Sequence, residues 1–131
     1  SSEPWVTLGI SYSNVMDTFN DDFNELYAAY VNNEIVGVIV IQTKGAFTGY
    51  LKSIAVKTGW QNKHLGKSMM GFVENEIFSK KTNVFLCVSS FNHNAQKFYL
   101  KLGYKKVGVL ENYIINGHDE ILMRKTTGPI C

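Results

Sequence analysis

Cysteine is scarce in this sequence, and long apolar runs are missing from it. Two of the 131 residues are cysteines, Cys87 inside an apolar run and Cys131 at the last position. Such isolated cysteines give neither a disulfide framework nor a metal-ligand spacing, so we expect a reducing, cytoplasmic setting and no bound metal. No stretch reaches the roughly 18 apolar residues of a transmembrane helix, and the first residues lack the charged-then-apolar pattern of a signal peptide. These absences predict a soluble protein.

The sequence also lacks an excess of charge of one sign. Its 13 Lys and Arg residues nearly balance 11 Asp and Glu residues, for a formal net charge of +2. This balance does not favour a nucleic acid or an anionic membrane as a partner, and we expect neither. With 131 residues, of which 45% are hydrophobic, the chain is long enough for one core and too short for two. We therefore predict a single domain over residues 1–131.

The order of elements is typical of an α/β (α+β) fold with a mixed sheet. Glu25–Val31 and Ile35–Thr43 indicate two strands joined by a tight Asn-rich turn, because Asn tolerates a positive φ. Tyr50–Lys57 and the apolar run Asn83–Ser90 predict two further strands, which we expect to be parallel because a helix connects them. The helix begins at His64 and ends near residue 80. Its apolar residues form one stripe: Leu65, Met69, Phe72, Val73 and Ile77.

Two shorter helices are predicted as well. Asn94–Gly103 has helical periodicity, with Asn92 or Asn94 able to cap its first turn and Gly103 placed just after its end. Near the N-terminus, a weaker pattern of apolar residues indicates a helix that begins near Ser13.

The last part of the sequence predicts a hairpin. Tyr104–Ile115 and His118–Lys125 flank the pair Asn116-Gly117, which favours a tight type I′ turn. Exposed strand edges near Ile115 or Tyr30 would make a homodimer plausible, because an unpaired edge invites pairing with a second chain.

The tripeptide Gly66-Lys67-Ser68 resembles the end of a nucleotide-binding P-loop, G-x-x-x-x-G-K-[ST]. Gln61 stands where that motif needs its first glycine, and the next strand carries no acid for a metal ion. What remains is a loop that enters a helix whose first N–H groups bind anions, with Lys63, His64 and Lys67 adding positive charge. The alternative is that Gly66 only lets helix and strand pack closely.

Two segments resemble the GNAT superfamily of N-acetyltransferases. The stretch from Val56 through Gln61 to Gly66 is similar to the acetyl-CoA motif of that superfamily, Q/R-x-x-G-x-G/A after a strand that ends in Val. The stretch Asn92–Tyr104 resembles its N-x-x-A-x-x-x-Y-x-x-x-G-F/Y segment. The resemblance spans about Glu25–Lys125 and is closest in character to ribosomal-protein and protein N-terminal acetyltransferases. It implies a centrally splayed sheet flanked by helices.

The sequence departs from that superfamily in two places. His64 stands where glycine is usual, so its side chain must either contact the pyrophosphate or point away from it. The usual first strand and helix are not recognisable before Glu3, so we expect this layer to be missing, built differently, or supplied by a partner chain.

The resemblance also implies the reaction and its residues. The co-substrate would be acetyl-CoA, and the acceptor a primary amine of a protein N-terminus or a small molecule. Tyr99 would lie at the coenzyme sulfur as general acid, and Asn92 would bind the coenzyme, cap the helix, or do both. The strand backbone would pair with the pantetheine arm and present an N–H to the thioester oxygen. The remaining coenzyme-binding residues implied are Ile54, Ala55, Val56, Gln61, Asn62, Lys63, His64, Leu65, Gly66 and Lys67.

The general base and the rival functions stay open. Many relatives carry a carboxylate on the strand that here contains Lys52 and no acid. The candidates elsewhere are Glu25, Glu111, His118 and Glu120, besides a chain of water molecules. One rival function is a catalytically silent acyl-CoA sensor on the same fold, which the missing base favours. The other is a P-loop nucleotide binder.

Overall fold

The computed structural model describes residues 10–14, 24–44, 49–61, 64–114 and 116–128. These residues contain seven strands and two helices. The strands are β1 (Ser11–Asn14), β2 (Asn24–Val31), β3 (Glu34–Gln42), β4 (Tyr50–Val56), β5 (Asn83–Ser89), β6 (Lys105–Leu110) and β7 (Glu120–Thr126). The helices are α1 (Leu65–Phe78) and α2 (His93–Lys101). Neither described helix has the length and apolar character needed to span a membrane.

All seven strands form one sheet, in the order β1-β2-β3-β4-β5-β7-β6. Every neighbouring pair is antiparallel except β4 and β5, which are parallel and are connected through α1. A parallel pair needs such a crossover, because a short turn cannot return the chain to the same end of the sheet. The predicted α/β fold with a mixed sheet is confirmed.

The predicted hairpin of β2 and β3 is also confirmed. Asn32 and Asn33 form its two-residue turn with φ values of 51° and 68°. Two successive positive φ values are the requirement of a type I′ turn, whose twist matches that of the flanking strands. The side chain of Asn is one of the few that adopts this region at small cost.

Helix α1 buries the stripe that the sequence predicts. Leu65, Met69 and Val73 are at most 1% exposed, and Phe72 and Ile77 are buried beside them. The stripe packs against the apolar side of β3, β4 and β5, where Ile39, Leu51, Val84 and Leu86 are buried. Burial of this many aliphatic side chains is the main contribution to the stability of the fold.

Helix α2 is bounded by the predicted signals. Asn92 is the N-cap, and its Oδ1 accepts a hydrogen bond from the N–H of Ala95 at 3.1 Å. Gly103 follows the helix with a φ of 101°, the left-handed conformation that ends many helices. The ring of Phe98 lies 3.6 Å from the position that a Cβ on Gly66 would take. The two helices therefore lie on the same face of the sheet.

Strand β1 changes the expectations for the N-terminal part. Ser13 lies in this strand, which pairs antiparallel to β2. The apolar residues of the helix predicted to begin near Ser13 fall within positions 15–23, outside the described residues, so that helix stays a prediction. The sheet thus has a first strand, although it is too short and too polar for its alternation to be recognised. Because β1 covers this edge, with Ser11 opposite Tyr30, Tyr30 does not offer an open strand edge. Ile115 lies outside the described residues, and the dimer stays a prediction.

The C-terminal hairpin is confirmed in its pairing and corrected in its turn. Strand β6 ends at Leu110, and β7 begins only at Glu120. Asn112 adopts a positive φ of 49° and its Oδ1 accepts a bond from the N–H of Gly117 at 2.7 Å. The N–H of Asn112 in turn donates to Asp119 Oδ1 at 3.2 Å. These side-chain bonds stabilise a wide loop in place of the predicted tight Asn116-Gly117 turn.

Candidate active site

The two parallel strands separate after two residue pairs. Tyr50 pairs with Phe85 and Leu51 with Leu86, and the register between β4 and β5 ends there. At the same point β4 contains a bulge against β3. Val40 and Ile41 of β3 pair with Ser53 and Leu51, which leaves Lys52 as an extra residue on β4. A bulge bends its strand and increases its twist. The bend carries the rest of β4 away from β5, as the predicted splay requires.

The splay contains a cavity of about 290 Å³. Residues from β4, β5, α2 and β7 line it, among them Ile54, Ser89, Asn92, Tyr99 and Glu120. Three of the sequence-predicted site residues, Ile54, Asn92 and Tyr99, are therefore brought together. Ala55 and Val56 continue β4 beyond the cavity and pair with β3 through their other edge.

Tyr99 is the buried aromatic group of this cavity. It is 8% exposed, and its ring makes edge contacts with Phe98 and Tyr104, with ring centroids 5.1 Å and 5.7 Å away. Burial raises the pKa of the Tyr99 hydroxyl, because the phenolate would lose its hydration. The hydroxyl is therefore protonated at neutral pH and is available as a proton donor.

Asn92 caps α2 and also lines the cavity. Its Oδ1 caps α2 through Ala95, and its backbone N–H donates to the Ser89 carbonyl at 3.0 Å. The residue is exposed and lines the cavity. Its capping bond fixes the side chain at the mouth of the splay, where it can also meet a ligand.

The loop between β4 and α1 presents the helix N-terminus. His64 is the N-cap residue with a φ of 61°, and its side chain makes no capping bond. The first turn closes when the N–H of Ser68 donates to the His64 carbonyl at 3.2 Å. The N–H groups of Leu65, Gly66 and Lys67 precede that bond and point out of the helix end, a favourable arrangement for an anion. Gln61 is exposed in the turn before the loop, and Asn62 and Lys63 lie outside the described residues.

The surroundings of Ser68 differ from those of a P-loop hydroxyl. Ser68 is fully buried and its Oγ lies 3.0 Å from the Tyr12 hydroxyl. A P-loop hydroxyl must instead face the metal ion and the phosphates. A Cβ at Gly66 would meet Phe98 at an ordinary contact distance of 3.6 Å, so packing alone does not demand glycine there.

Glu120 is the candidate base that the fold brings to the cavity. It is 8% exposed, pairs with Ser89 across β5 and β7, and its Oε2 accepts a hydrogen bond from Ser89 Oγ at 3.0 Å. The other three candidates lie elsewhere. Glu25 accepts a bond from the Tyr27 hydroxyl at 2.9 Å and lines a separate cavity, whereas Glu111 and His118 are exposed in or beside the β6–β7 loop.

A second cavity of about 240 Å³ adjoins the first. Its lining is mostly apolar and aromatic: Gln42, Tyr50, Cys87, Leu110, Tyr113 and Leu122. Cys87 lines both cavities. Burial raises the pKa of the Cys87 thiol, so it is not an activated nucleophile. Burial raises the pKa of Tyr50 well above its usual value, and the nearby Cys87 adds to this shift.

Gln96 supports the strand end beside the cavity, a role that the sequence did not indicate. Its Nε2 donates to the carbonyl of Ser89 at 3.2 Å and to that of Ser90 at 2.9 Å. Both carbonyls lie at the end of β5, where the sheet no longer provides partners. The bonds attach α2 to the strand end that carries Ser89. The one sequence signal for this role was a polar residue one turn after the N-cap, and such a residue alone is weak evidence.

Comparison with known proteins agrees with this geometry. Residues 2–104 match the model of the acetyltransferase (GNAT) family. An uncharacterised N-acetyltransferase of Methanocaldococcus jannaschii is 30% identical over 104 residues, covering 78% of this chain and 66% of that protein. An N-alpha-acetyltransferase of Saccharolobus solfataricus is 28% identical over 114 residues, covering 76% and 67%. The chain thus spans about two thirds of the length of the curated relatives that it matches.

A solved structure shares the fold. The GNAT family acetyltransferase of Elizabethkingia anophelis, crystallised with acetyl-CoA bound, superimposes with a TM-score of 0.80 at 19% identity. The superposition covers 90% of this chain and 98% of that one. The resemblance found in the two sequence motifs is confirmed by the family match and by the fold.

Proposed function

Since the chain belongs to the acetyltransferase (GNAT) family, we propose that it transfers the acetyl group of acetyl-CoA to a primary amine. The observation that carries the proposal is the splay between β4 and β5 with Tyr99 buried beside it. A splayed sheet offers backbone groups to an extended ligand, and a buried phenol offers a proton where a thiolate would leave. The two features occur in one cavity.

The described residues fit acetyl-CoA in two places. Ile54, Ala55 and Val56 use one edge of their backbone to pair with β3, and their other edge faces the opened side of the sheet. The amide groups of a pantetheine arm match such an edge, in the manner of an added strand. One N–H of this edge would donate to the thioester oxygen and stabilise the charge that develops on it.

The pyrophosphate would bind at the N-terminus of α1. The N–H groups of Leu65, Gly66 and Lys67 point out of that helix end, and the helix dipole adds to their attraction for an anion. We assign Gln61, Asn62, Lys63 and His64 to the same cradle as the loop that leads into it. Asn92 would contact the coenzyme from the other side of the splay.

The transfer itself is a direct attack by the amine. The nitrogen attacks the thioester carbon, the C–N bond forms, and the C–S bond breaks with its electron pair on sulfur. Tyr99 gives its proton to the departing thiolate and is reprotonated by the proton that the nitrogen loses. A general acid of this kind contributes roughly 10²- to 10⁴-fold in rate.

The acceptor would enter through the cavity formed by Tyr50, Cys87, Leu110, Tyr113 and Leu122. This lining suits an apolar or small group next to the reacting amine. The similarity to an N-alpha-acetyltransferase supports a protein α-amino group as acceptor. Such a group has a pKa of about 7.7–8.0, which leaves an appreciable neutral fraction near pH 7. A small-molecule amine is the alternative acceptor.

Binding and turnover of the full chain test the proposal together. Thermal stability is measured with acetyl-CoA, coenzyme A and Mg-ATP, because a ligand of the folded state raises stability. Turnover is measured as release of the coenzyme thiol, with tetrapeptides that begin with Ala, Ser, Thr or Met, with spermidine and with Nα-acetyl-lysine.

We expect stabilisation by both coenzyme forms, and turnover with at least one amine. Stabilisation without turnover would instead support a silent acyl-CoA sensor. Stabilisation by Mg-ATP alone would contradict the proposal and favour a nucleotide binder.

A further inference from the structure

We propose that Glu120 is the general base of the reaction and accepts the proton of the acceptor amine. This inference rests on the proposed acetyl transfer and adds the residue that β4 does not provide. Strand β4 carries Lys52 and no acid, whereas β7 places a carboxylate in the same cavity.

The burial of Glu120 is unusual for its chemistry. Glutamate is rarely buried unless it is paired with a cation, because its charge loses hydration. Glu120 is 8% exposed, and its observed partner is the neutral hydroxyl of Ser89. The ion pairs found in the described residues are Lys57 with Glu34 and Lys125 with Glu74, and neither involves Glu120. A buried carboxylate without a paired cation is costly to the fold and is typical of a functional site.

Strand alternation places Glu120 on the acceptor side of the splay. Leu86 and Met123 are opposite each other and buried against the helices. The pairs Cys87 with Leu122 and Ser89 with Glu120 therefore point to the other face, since side chains alternate along a strand. Cys87 and Leu122 line the second cavity, the proposed entry of the amine. Tyr99 approaches the splay from the helix side, so base and acid lie on opposite sides of the thioester.

The position of the carboxylate is fixed by its neighbours. Ser89 Oγ holds Glu120 Oε2, and the carbonyl of Ser89 is held by Gln96. We assign Oε1 to the acceptor nitrogen. A base that is orientated before the substrate binds avoids the cost of ordering it during the reaction.

Each proton and electron pair in the proposed transfer has a donor and an acceptor. Glu120 takes one proton from the acceptor's ammonium group, and the neutral nitrogen attacks the thioester carbon. The C–S bond breaks with its electron pair on sulfur, and Tyr99 protonates the thiolate. The nitrogen's remaining surplus proton restores Tyr99, and Glu120 releases its proton to solvent. The products are the amide, coenzyme A and one proton.

Several titratable groups face Glu120 across the cavity. From β4 these are Tyr50 and Lys52, from β5 Cys87, and from α2 Tyr99, while β6 places the apolar Leu110 opposite it. Burial raises the pKa of Tyr50, Cys87 and Tyr99. All three therefore stay protonated between about pH 6 and 8.5, where the test is made.

The test compares Glu120→Gln with the wild type and with Glu111→Gln, a matched change of an exposed carboxylate in the β6–β7 loop. The acceptor is whichever amine of the panel above the wild type acetylates. We expect kcat of Glu120→Gln at pH 6.5 to fall by roughly 10²-fold or more, and that of Glu111→Gln to stay unchanged. The deficit should shrink as the pH rises through the acceptor's own pKa, because the amine then loses its proton unaided. A purely structural role would not produce this rescue.

Thermal stability separates folding from catalysis. Glu120→Gln keeps the shape of the side chain and removes a buried charge, so we expect a melting temperature equal to or above that of the wild type. Glu120→Asp serves as a second variant, with partial activity and the wild-type pH dependence. Wild-type turnover with full activity in Glu120→Gln, or with a deficit that does not depend on pH, would overturn the assignment alone. Absence of turnover in the wild type would overturn the proposed function as well.

Discussion

The hydroxyl of Tyr104 donates a hydrogen bond to Glu74, with 3.0 Å between Tyr104 Oη and Glu74 Oε2. The other oxygen of Glu74 accepts a bond from Lys125 Nζ at 2.8 Å. One carboxylate on α1 thus attaches both the segment after α2 and strand β7. Tyr104 is 1% exposed, and the ammonium of Lys125 lies 5.9 Å from its ring centroid. The network joins the elements that surround the splay, on the side away from the acceptor.

Removal of the Tyr104 hydroxyl should destabilise the fold and leave the chemistry intact. We expect Tyr104→Phe to lower the free energy of unfolding by about 1–3 kcal/mol, the usual cost of losing a hydrogen bond to a charged group. Urea denaturation measures this change. Tyr113→Phe is the control, because Tyr113 is 58% exposed. Equal stability of the two variants would contradict the assignment of the network as a fold-stabilising contact.

The raised pKa of Tyr104 should make the stability of the fold depend on pH in the alkaline range. Burial, and then the charge of Glu74, raise the pKa of Tyr104 above its ordinary value. The folded chain therefore keeps this proton where the unfolded chain loses it. The contribution is fully present below the unfolded pKa of about 10 and is lost as the pH rises toward the folded pKa. Urea midpoints measured from pH 8 to 11 should fall more steeply in the wild type than in Tyr104→Phe. Parallel curves would contradict the raised pKa.

Tyr99→Phe should separate catalysis from binding. The ring contacts with Phe98 and Tyr104 remain in this variant, so we expect unchanged stability and unchanged affinity for acetyl-CoA. Turnover should fall by roughly 10²-fold or more, because the thiolate loses its proton donor. Steady-state kinetics and a thermal-shift titration measure the two effects. A folded Tyr99→Phe with wild-type turnover would exclude Tyr99 as the acid.

Local signals account for most of what the sequence could predict. The Asn32–Asn33 turn, the apolar stripe of α1 and the Asn92 cap each depend on residues close together in the chain, and each is confirmed. The resemblance of the two motifs to a known family also implied the splay between β4 and β5, and the short pairing of these strands confirms it. Strand β1 was missed because four mostly polar residues carry no readable period, and its pairing with β2 decides its structure.

Contacts between distant residues account for what the sequence could not predict. Glu120 is one of four acids or histidines considered as the base, and its sequence neighbours do not distinguish it. Its burial follows from pairing with Ser89, 31 positions earlier in the chain. The Asn116-Gly117 pair was misleading because contacts with other residues of the same loop outweigh the preference of the dipeptide. The side chain of Asn112 accepts a bond from the N–H of Gly117, and the side chain of Asp119 accepts one from the N–H of Asn112. These bonds stabilise a wider loop than the dipeptide favours.

Acetyl transfer should proceed without an acetylated enzyme. Cys87 is the thiol that lines both cavities, and burial raises its pKa, so little thiolate exists at neutral pH. We expect initial-velocity patterns that intersect, as in direct transfer between two bound substrates. Intact-mass analysis of the enzyme after incubation with acetyl-CoA alone should show no acetyl group at Cys87. Parallel velocity patterns together with an acetylated Cys87 would indicate a covalent intermediate instead.

His64 provides a test of how the loop binds the coenzyme. Its φ of 61° lies in the left-handed region, where a non-glycine residue carries a strain of about 1 kcal/mol or more. Glycine relieves this strain but increases the entropy of the unfolded chain, so we expect His64→Gly to be neutral or more stable by up to about 1 kcal/mol. His64→Val should be clearly destabilised, because a β-branched side chain tolerates a positive φ poorly.

Coenzyme affinity of the same variants distinguishes backbone from side-chain binding. If the N–H groups of Leu65, Gly66 and Lys67 hold the pyrophosphate, His64→Gly should keep the wild-type Kd for coenzyme A, since the helix end is unchanged. His64→Asn is the control, because Asn also adopts a positive φ and has no imidazole. Isothermal titration at low and high salt measures both variants. Equal weakening in His64→Gly and His64→Asn would show that the imidazole contacts the coenzyme, contrary to a cradle built from backbone groups.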